Sequence, residues 1–292
     1  MSWPERHIGL ILGIVGMVAF AGTLPARRLA VAAFDPLYLC AVGGVLAGGA
    51  ALLVLALTRQ RLPPRALWSE FCIAGFCSVI AFPVLTTLAM TSVPAAHGGV
   101  VLGIQPLAIA AGATLLARER PSAGFWLVGA IGTGIVVWFV LRRGGGDIGA
   151  GDVLLLFSVL AGGANYTLYG RLTASMPGWE AISWSVAIYL PLAIVAMLAL
   201  WPRELASTPY PAWAALGYVG LVSQYTAYFL FNAAMALAGI ARMGQLLLLL
   251  PFVTVALAWQ VNGERIEVET LMFATAVVAT VAVGQRMQVK RA

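Results

Sequence analysis

The chain has 292 residues, of which 61% are hydrophobic and only 10% charged, with a mean hydropathy of +0.94. A soluble domain carries about 25% charged residues, so there is too little polar surface here to cover a water-exposed globule, and the composition describes an integral membrane protein. The net charge of +6 comes from basic residues in short loops and tails; with no aromatic-rich basic surface among them, nucleic acid is not an expected partner.

Ten apolar runs follow one another, over residues 8–24, 37–57, 71–90, 95–117, 123–141, 153–169, 181–201, 213–235, 240–261 and 268–284. A spanning helix needs about 20 apolar residues, and in lipid its backbone must be satisfied internally, so continuous apolar runs mean helices. The strands of a membrane barrel would alternate polar and apolar residues, and these runs do not. The joining loops are short, and none is large enough for a soluble domain. Arg6 and Ala19-Phe20-Ala21 give the first run some look of a signal peptide. Against that, Thr23-Leu24 and Arg27 echo Thr167-Leu168 and Arg171, so the run belongs to a repeat and is retained.

That repeat covers most of the chain. At a constant offset of 145, Pro64 falls on Pro209, Trp68 on Trp213, Gly75 on Gly220, Ser78 on Ser223, Ala89-Met90 on Ala234-Met235, Gly99 on Gly244, Pro106 on Pro251, and Glu119-Arg120 on Glu264-Arg265. A repeat of five spans must enter the membrane in the opposite sense the second time, which predicts inverted repeats. With both termini in the cytoplasm, most basic residues, including Arg59, Arg61, Arg65, Arg118 and Arg120, fall inside, as the positive-inside rule favours. Arg27, Arg28, Arg142, Arg143, Arg203 and Arg265 are then expected in outer loops, together with Glu264, Glu267 and Glu269.

Several features have plain structural readings. Trp3, Trp68, Trp126, Trp179 and Trp213 lie at span ends, where indoles anchor at the interface. Cys40, Cys72 and Cys77 lie in apolar runs and read as small core residues rather than a disulfide or metal set. Residues 142–147 hold a lone Gly-Gly-Gly without phosphate-cradle spacing and read as the linker between repeats. Gly44 with Gly48 and Gly99 with Gly103 have the spacing that lets helices approach closely, here within one molecule.

Polar side chains within lipid are costly and need a reason. No Asp or Glu lies in the middle of any span, so proton coupling would have to use His97 or a carboxylate at a helix end; facilitated movement is the first expectation. His97 and its repeat mate Arg242, with Gln245 one turn on, open the fourth and ninth runs beside glycines, where helix amides attract anions. Gln105 precedes Pro106; Pro106 and Pro251 free backbone carbonyls and are the expected hinges. Gln224, Tyr228 and Asn232 recur every four residues on one helical face. Asn165, Tyr166 and Tyr169 form a similar face in the sixth run, with Trp184 and Tyr189 in the seventh. Phe20 and Thr23, then Ser78, Phe82 and Thr86, supply the first half. Amides and hydroxyls among rings suit a zwitterion with an apolar side chain; the alternative is interhelical hydrogen bonding alone.

The duplicated helix–Pro–helix–Glu pattern, Pro106 to Glu119 and Pro251 to Glu264, together with the ten spans, resembles the drug/metabolite transporter superfamily in its EamA-type, ten-helix form, and within it the YddG-type exporters of aromatic and other amino acids. The resemblance implies a bacterial inner-membrane exporter with a central cavity between the halves. It leaves open proton-coupled drug transport and sugar-phosphate or nucleotide-sugar transport on the same fold.

The expectation is therefore an all-α integral membrane protein of ten transmembrane helices. Two inverted five-helix repeats, 1–145 and 146–292, enclose a cavity for small metabolites such as amino acids. No cofactor or metal is expected, lipid is the surrounding partner, and a monomer is favoured. An intramembrane enzyme is not expected, since His7 and His97 are the only histidines and no mid-span acid accompanies them.

Overall fold

A computed structural model of the protein describes residues 3–105, 107–109, 111–112, 119–143, 148–173, 175–202, 204–205, 207–238, 246–285 and 289–291. Almost all of them are helical. Helix α1 (Trp3–Ala21) breaks at Gly22 and resumes as α2 (Thr23–Ala30). Pro25 has no N–H to give the Ala21 carbonyl, and the Tyr218 hydroxyl donates to the nearby Ala19 carbonyl at 2.8 Å. Helix α3 (Pro36–Leu57) is opened by Asp35, whose carboxylate accepts from the Leu37 and Tyr38 amides, with Pro36 in the first turn as helix starts favour.

Two segments share an unusual form. Helices α4 (Trp68–Gly75) and α5 (Phe82–Ala89) are joined by a π-helical stretch, Phe76–Ala81. Further along, α11 (Tyr210–Gly217) and α12 (Ala227–Ala238), which follow the helices named next, are joined by π-helical Tyr218–Thr226. Position 76 plus 145 is 221, so the wide turns occupy equivalent places in the two repeats. In the first, Pro83 cannot donate to Val79, which loosens the turn before it. In the second, the Thr226 hydroxyl donates to the Leu221 carbonyl at 2.8 Å. Such bulges are frequent at functional sites.

Helix α6 (Ala95–Leu102) ends at Gly103, whose amide reaches back only three residues, to Val100. The equivalent place in the second repeat is a 3₁₀ turn, Leu247–Leu249, just before α13 (Leu250–Asn262). Both breaks sit immediately before the paired prolines. Pro251 removes the N–H that Leu247 would otherwise receive; Pro106 lies outside the described residues. The remaining helices are α7 (Ala123–Arg143), α8 (Ala150–Leu172), α9 (Gly178–Ile188), α10 (Leu190–Ala199) and α14 (Val268–Gln285). Helices α9 and α10 meet at an angle of 41°, with Pro191 in the first turn of α10. A three-residue antiparallel pairing, β1 (Glu119–Pro121) with β2 (Val289–Arg291), joins the segment before α7 to the segment after α14.

Four continuous helical segments are long and apolar enough to cross a membrane: His7–Ala30, Pro36–Leu57, Arg65–Ala89 and Ala150–Leu172. The bent α9–α10 pair makes a fifth if counted as one span. Leu53, Leu127, Leu160 and Val195 are exposed on the outside, as lipid-facing residues should be. The chain is a multi-pass membrane protein.

The packing follows the repeat. Helix α3 packs on its repeat mate α9–α10, α6 on α13 of the corresponding span in the other repeat, and α7 on its mate α14. Each of these pairs runs antiparallel. A methyl at Gly44 would meet the Ala193 Cβ at 3.0 Å and one at Gly48 the Leu190 Cβ at 2.8 Å; one at Gly99 would meet the Thr254 Cγ2 at 2.8 Å and one at Gly103 the Pro251 Cγ at 3.2 Å. As one partner's number rises the other's falls. Arg142 of α7 likewise pairs with Glu269 at the start of α14. The small-residue pairs thus serve internal contacts, where close backbone approach strengthens dispersion. The remaining helices swap: α1 lies on α12, and α8 lies on α4 and α5.

Candidate functional site

The crossing of α6 and α13 is one wall of a cavity enclosed by residues of both repeats. The opposite walls are α1–α2 and the two π-helical segments. Each wide turn brings its serine to the cavity: Ser78 from the first repeat and Ser223 from the second. The hydroxyls of Ser223 and Thr23 are 2.6 Å apart and share a hydrogen bond. Ser78 shares one of 3.3 Å with the Tyr169 hydroxyl.

Nine of the expected site residues line this cavity: Phe20, Thr23, Ser78, Phe82, Gln105, Tyr166, Gln224, Tyr228 and Pro251. Phe20 stands edge-on to Tyr228, centroids 4.8 Å apart, and Tyr166 lies 5.9 Å from Tyr228 on another side. Gln224 is nearly sealed, 3% exposed, yet neither its Nε2 nor its Oε1 has a hydrogen-bond partner. Gly43 makes room for it, since a methyl there would meet Oε1 at 3.2 Å. An unpaired buried amide costs on the order of 1–3 kcal/mol, so the chain holds it there against its folding interest.

Other expected residues sit behind the wall. The Asn165 Nδ2 donates to the Tyr228 hydroxyl at 3.1 Å and so orients a ring that faces the cavity. Tyr169 does the same for Ser78. The Thr86 hydroxyl donates to the Phe82 carbonyl at 2.6 Å within its own helix. The Asn232 Nδ2 donates to the Gly178 carbonyl at 3.3 Å, and the Tyr189 hydroxyl to the Cys72 carbonyl at 2.7 Å; both tie helices together. Trp184 packs half-buried in the cluster around Tyr169. His97 is buried and its Nε2 lies 2.8 Å from Asp152 Oδ1, away from the cavity lining. Arg242 and Gln245 lie outside the described residues.

The structure adds residues that sequence patterns did not single out. Arg27, expected in an outer loop, is 1% exposed and lines the cavity. The reason is the restart at Thr23, which carries the helix one further turn beyond the apolar run. Asp152 is a buried acid in the first turn of α8, overlooked because it falls one residue before the apolar run begins. Its Oδ2 accepts from the Gly149 amide at 3.1 Å. Glu264 reaches the first turn of α6, accepting from the Ala95 and Ala96 amides at 2.8 and 2.9 Å. Among the described residues no group of three His, Cys, Asp or Glu side chains is placed to hold a metal.

A bundle of apolar helices broken at matched points around a polar-and-aromatic cavity is an architecture that suits a membrane transporter. Comparison with known proteins gives the family. The chain belongs to the EamA-like transporter family, whose pattern it matches twice, at residues 7–141 and 149–283. It is 36% identical to the uncharacterised transporter YdeK of Bacillus subtilis (strain 168), over 95% of this chain and 97% of that one. The uncharacterised transporter YyaM of the same organism is 20% identical over 94% and 92%. A crystal structure of a protein 17% identical covers 97% of this chain and 99% of its own, with a TM-score of 0.65, and so shares the fold.

Proposed function

We propose that the chain is an inner-membrane exporter of small metabolites, aromatic and other amino acids foremost, that works by alternating access without ion coupling. The observation that carries the reading is the cavity itself. Rings from Phe20, Phe82, Tyr166 and Tyr228 surround the unpaired Gln224 amide and the Thr23, Ser78 and Ser223 hydroxyls. That lining suits a solute with a charged or polar end and an apolar body.

Ten spans in two inverted repeats, 1–145 and 146–292, are the arrangement this requires. Repeat mates that run antiparallel to one another support it, since two copies of one unit related by a two-fold axis in the membrane plane meet in that way. Both termini face the cytoplasm on the positive-inside rule. The breaks before Pro106 and Pro251 are then the hinges about which α6 and α13 change their exposure of the cavity. A monomer suffices, because the cavity is completed within one chain.

One observation favours a second reading. The buried His97 Nε2–Asp152 Oδ1 contact joins the two repeats, and an imidazole hydrogen-bonded to a carboxylate is a route to proton coupling. Sugar-phosphate transport is less well served: phosphate is best held by several cations, and among the described lining residues Arg27 is the cation.

Efflux of labelled phenylalanine from proteoliposomes, with and without an imposed pH gradient, tests the reading. Flux indifferent to the gradient is expected. Flux that follows the gradient transfers the mechanism to the His97–Asp152 reading, and absence of flux for phenylalanine and for other amino acids overturns the substrate.

A further inference from the structure

Arg27 is a buried cation without a buried counter-charge. Its Nη1 donates to the Pro83 carbonyl at 2.9 Å and to the Thr87 hydroxyl, which ties α2 to α5. Those bonds account for one nitrogen, and the uncharged Cys40 side chain is a further hydrogen-bond neighbour of the guanidinium. The Nε has no acceptor, and no ion pair among the described residues includes Arg27. The corresponding arginine of the second repeat, Arg171, is different: its Nη2 lies 2.6 Å from Glu70 Oε1, and 43% of its side chain is exposed. The position matching Glu70 is Ala215, so the second copy keeps a carboxylate partner and the first does not. A structural strut needs no fixed charge, and a neutral amide would serve those two acceptors. A guanidinium held in low dielectric without an anion is costly unless an anion arrives.

We propose that the cavity binds its solute by a carboxylate placed against Arg27, with the Gln224 amide reading the same polar end and the surrounding rings taking the apolar remainder. Gln224 is the independent sign of a missing partner, sealed and unpaired at both ends of its amide on the same cavity. One guanidinium matches one negative charge. Planar bidentate pairing through the guanidinium edge is the geometry that arginine offers a carboxylate. Because the cavity contributes no acid among its described lining residues, a solute bearing only an ammonium finds like charge and no partner. The inference rests on the transporter reading for its direction of use, but binding can be measured without transport.

The test is thermal unfolding of the full-length protein in lipid nanodiscs with phenylalanine, N-acetylphenylalanine, 3-phenylpropionate and phenylalaninamide as probes. The three carboxylates are expected to raise the unfolding temperature, and phenylalaninamide is expected to bind about 10- to 100-fold more weakly, the loss of one charge-assisted hydrogen-bonded contact. In Arg27→Gln that preference disappears; in Arg27→Lys it is reduced, because the charge remains without the fork. Should Arg27→Gln fail to fold, the probe series on the unaltered protein decides. Equal stabilisation by phenylalaninamide, stabilisation by none of the carboxylates, or a carboxylate preference that survives in Arg27→Gln overturns the proposal. Carboxylate-selective binding without flux in proteoliposomes would leave the proposal standing and sink the transporter reading; equal flux of phenylalanine and phenylalaninamide would do the reverse.

Discussion

His97 Nε2 lies 2.8 Å from Asp152 Oδ1, joining the first turn of α6 in one repeat to the first turn of α8 in the other. The pair has no copy on the opposite side, because the repeat mates of these residues are Arg242 and His7, which are both basic. It is therefore a latch between the halves at one face of the molecule. Asp152→Ala leaves a buried imidazole without its partner and is expected to lower stability by about 1–3 kcal/mol, whereas His97→Leu combined with Asp152→Leu removes both polar groups and costs less than the two single changes together. Unfolding of Asp152→Ala, of His97→Leu and Asp152→Leu singly, and of the double variant in nanodiscs measures this; strict additivity of the two Leu changes would show that the contact does not couple the repeats.

Glu264 offers a second check on how the repeats hold each other. Its carboxylate accepts from two amides at the start of α6, where the helix dipole also favours negative charge. Glu264→Ala is expected to cost about 0.5–2 kcal/mol, as loss of a helix cap does. Glu264→Gln should recover part of that, since an amide oxygen still accepts one bond. Unfolding midpoints of the pair that are equal to the unaltered protein's would remove the cap from the account.

The matched glycines Gly75 and Gly220 make parallel predictions. A methyl at Gly75 would lie 2.4 Å from the Ser185 carbonyl oxygen, and one at Gly220 would lie 2.9 Å from Leu46 Cβ and 3.1 Å from Gly43 Cα. Backbone cannot yield as a flexible side chain can, so Gly75→Ala is expected to lose about 1–3 kcal/mol by overpacking, with Gly220→Ala smaller in effect. Gly49 has open space around it, and Gly49→Ala should gain about 0.5–1 kcal/mol from the helix backbone alone. Folded yield and unfolding temperature report all three; a stable Gly75→Ala would mean that α4 and α9 are not so closely packed.

Gln224 should separate stability from activity. It makes no hydrogen bond that its removal could break, so Gln224→Leu is expected to leave stability unchanged or raise it, by up to about 1–3 kcal/mol if the full desolvation cost is relieved. Transport should fall about tenfold or more, the cost of one hydrogen bond to the solute. Proteoliposome flux beside unfolding in nanodiscs measures both. Intact flux would assign Gln224 to packing.

Membrane class, helical spans and duplication were legible from the residues. Hydrophobic run length is set by bilayer thickness, and the 145-residue offset is a property of the chain alone. The Gln224–Tyr228 face was legible for the same kind of reason, because helical periodicity places every fourth residue together. The prolines, too, announced the helix interruptions: Pro251 removes a donor wherever the helix packs, and the 3₁₀ turn falls directly before it.

What the tertiary structure decided was the side-chain environment. Arg27 reads as a loop residue because arginine after an apolar run ordinarily sits in water, and only the restarted turn at Thr23 folds it inward against Pro83. Asn232 shares a helical face with Gln224 but finds a carbonyl on α9, so its amide ties helices while that of Gln224 stays unpaired. His97 reads as an anion contact at the start of its helix, and in the fold its ring nitrogen lies 2.8 Å from Asp152, more than fifty positions away. Periodicity determines which residues share a face; it does not determine which neighbour meets that face, since this depends on how distant helices cross.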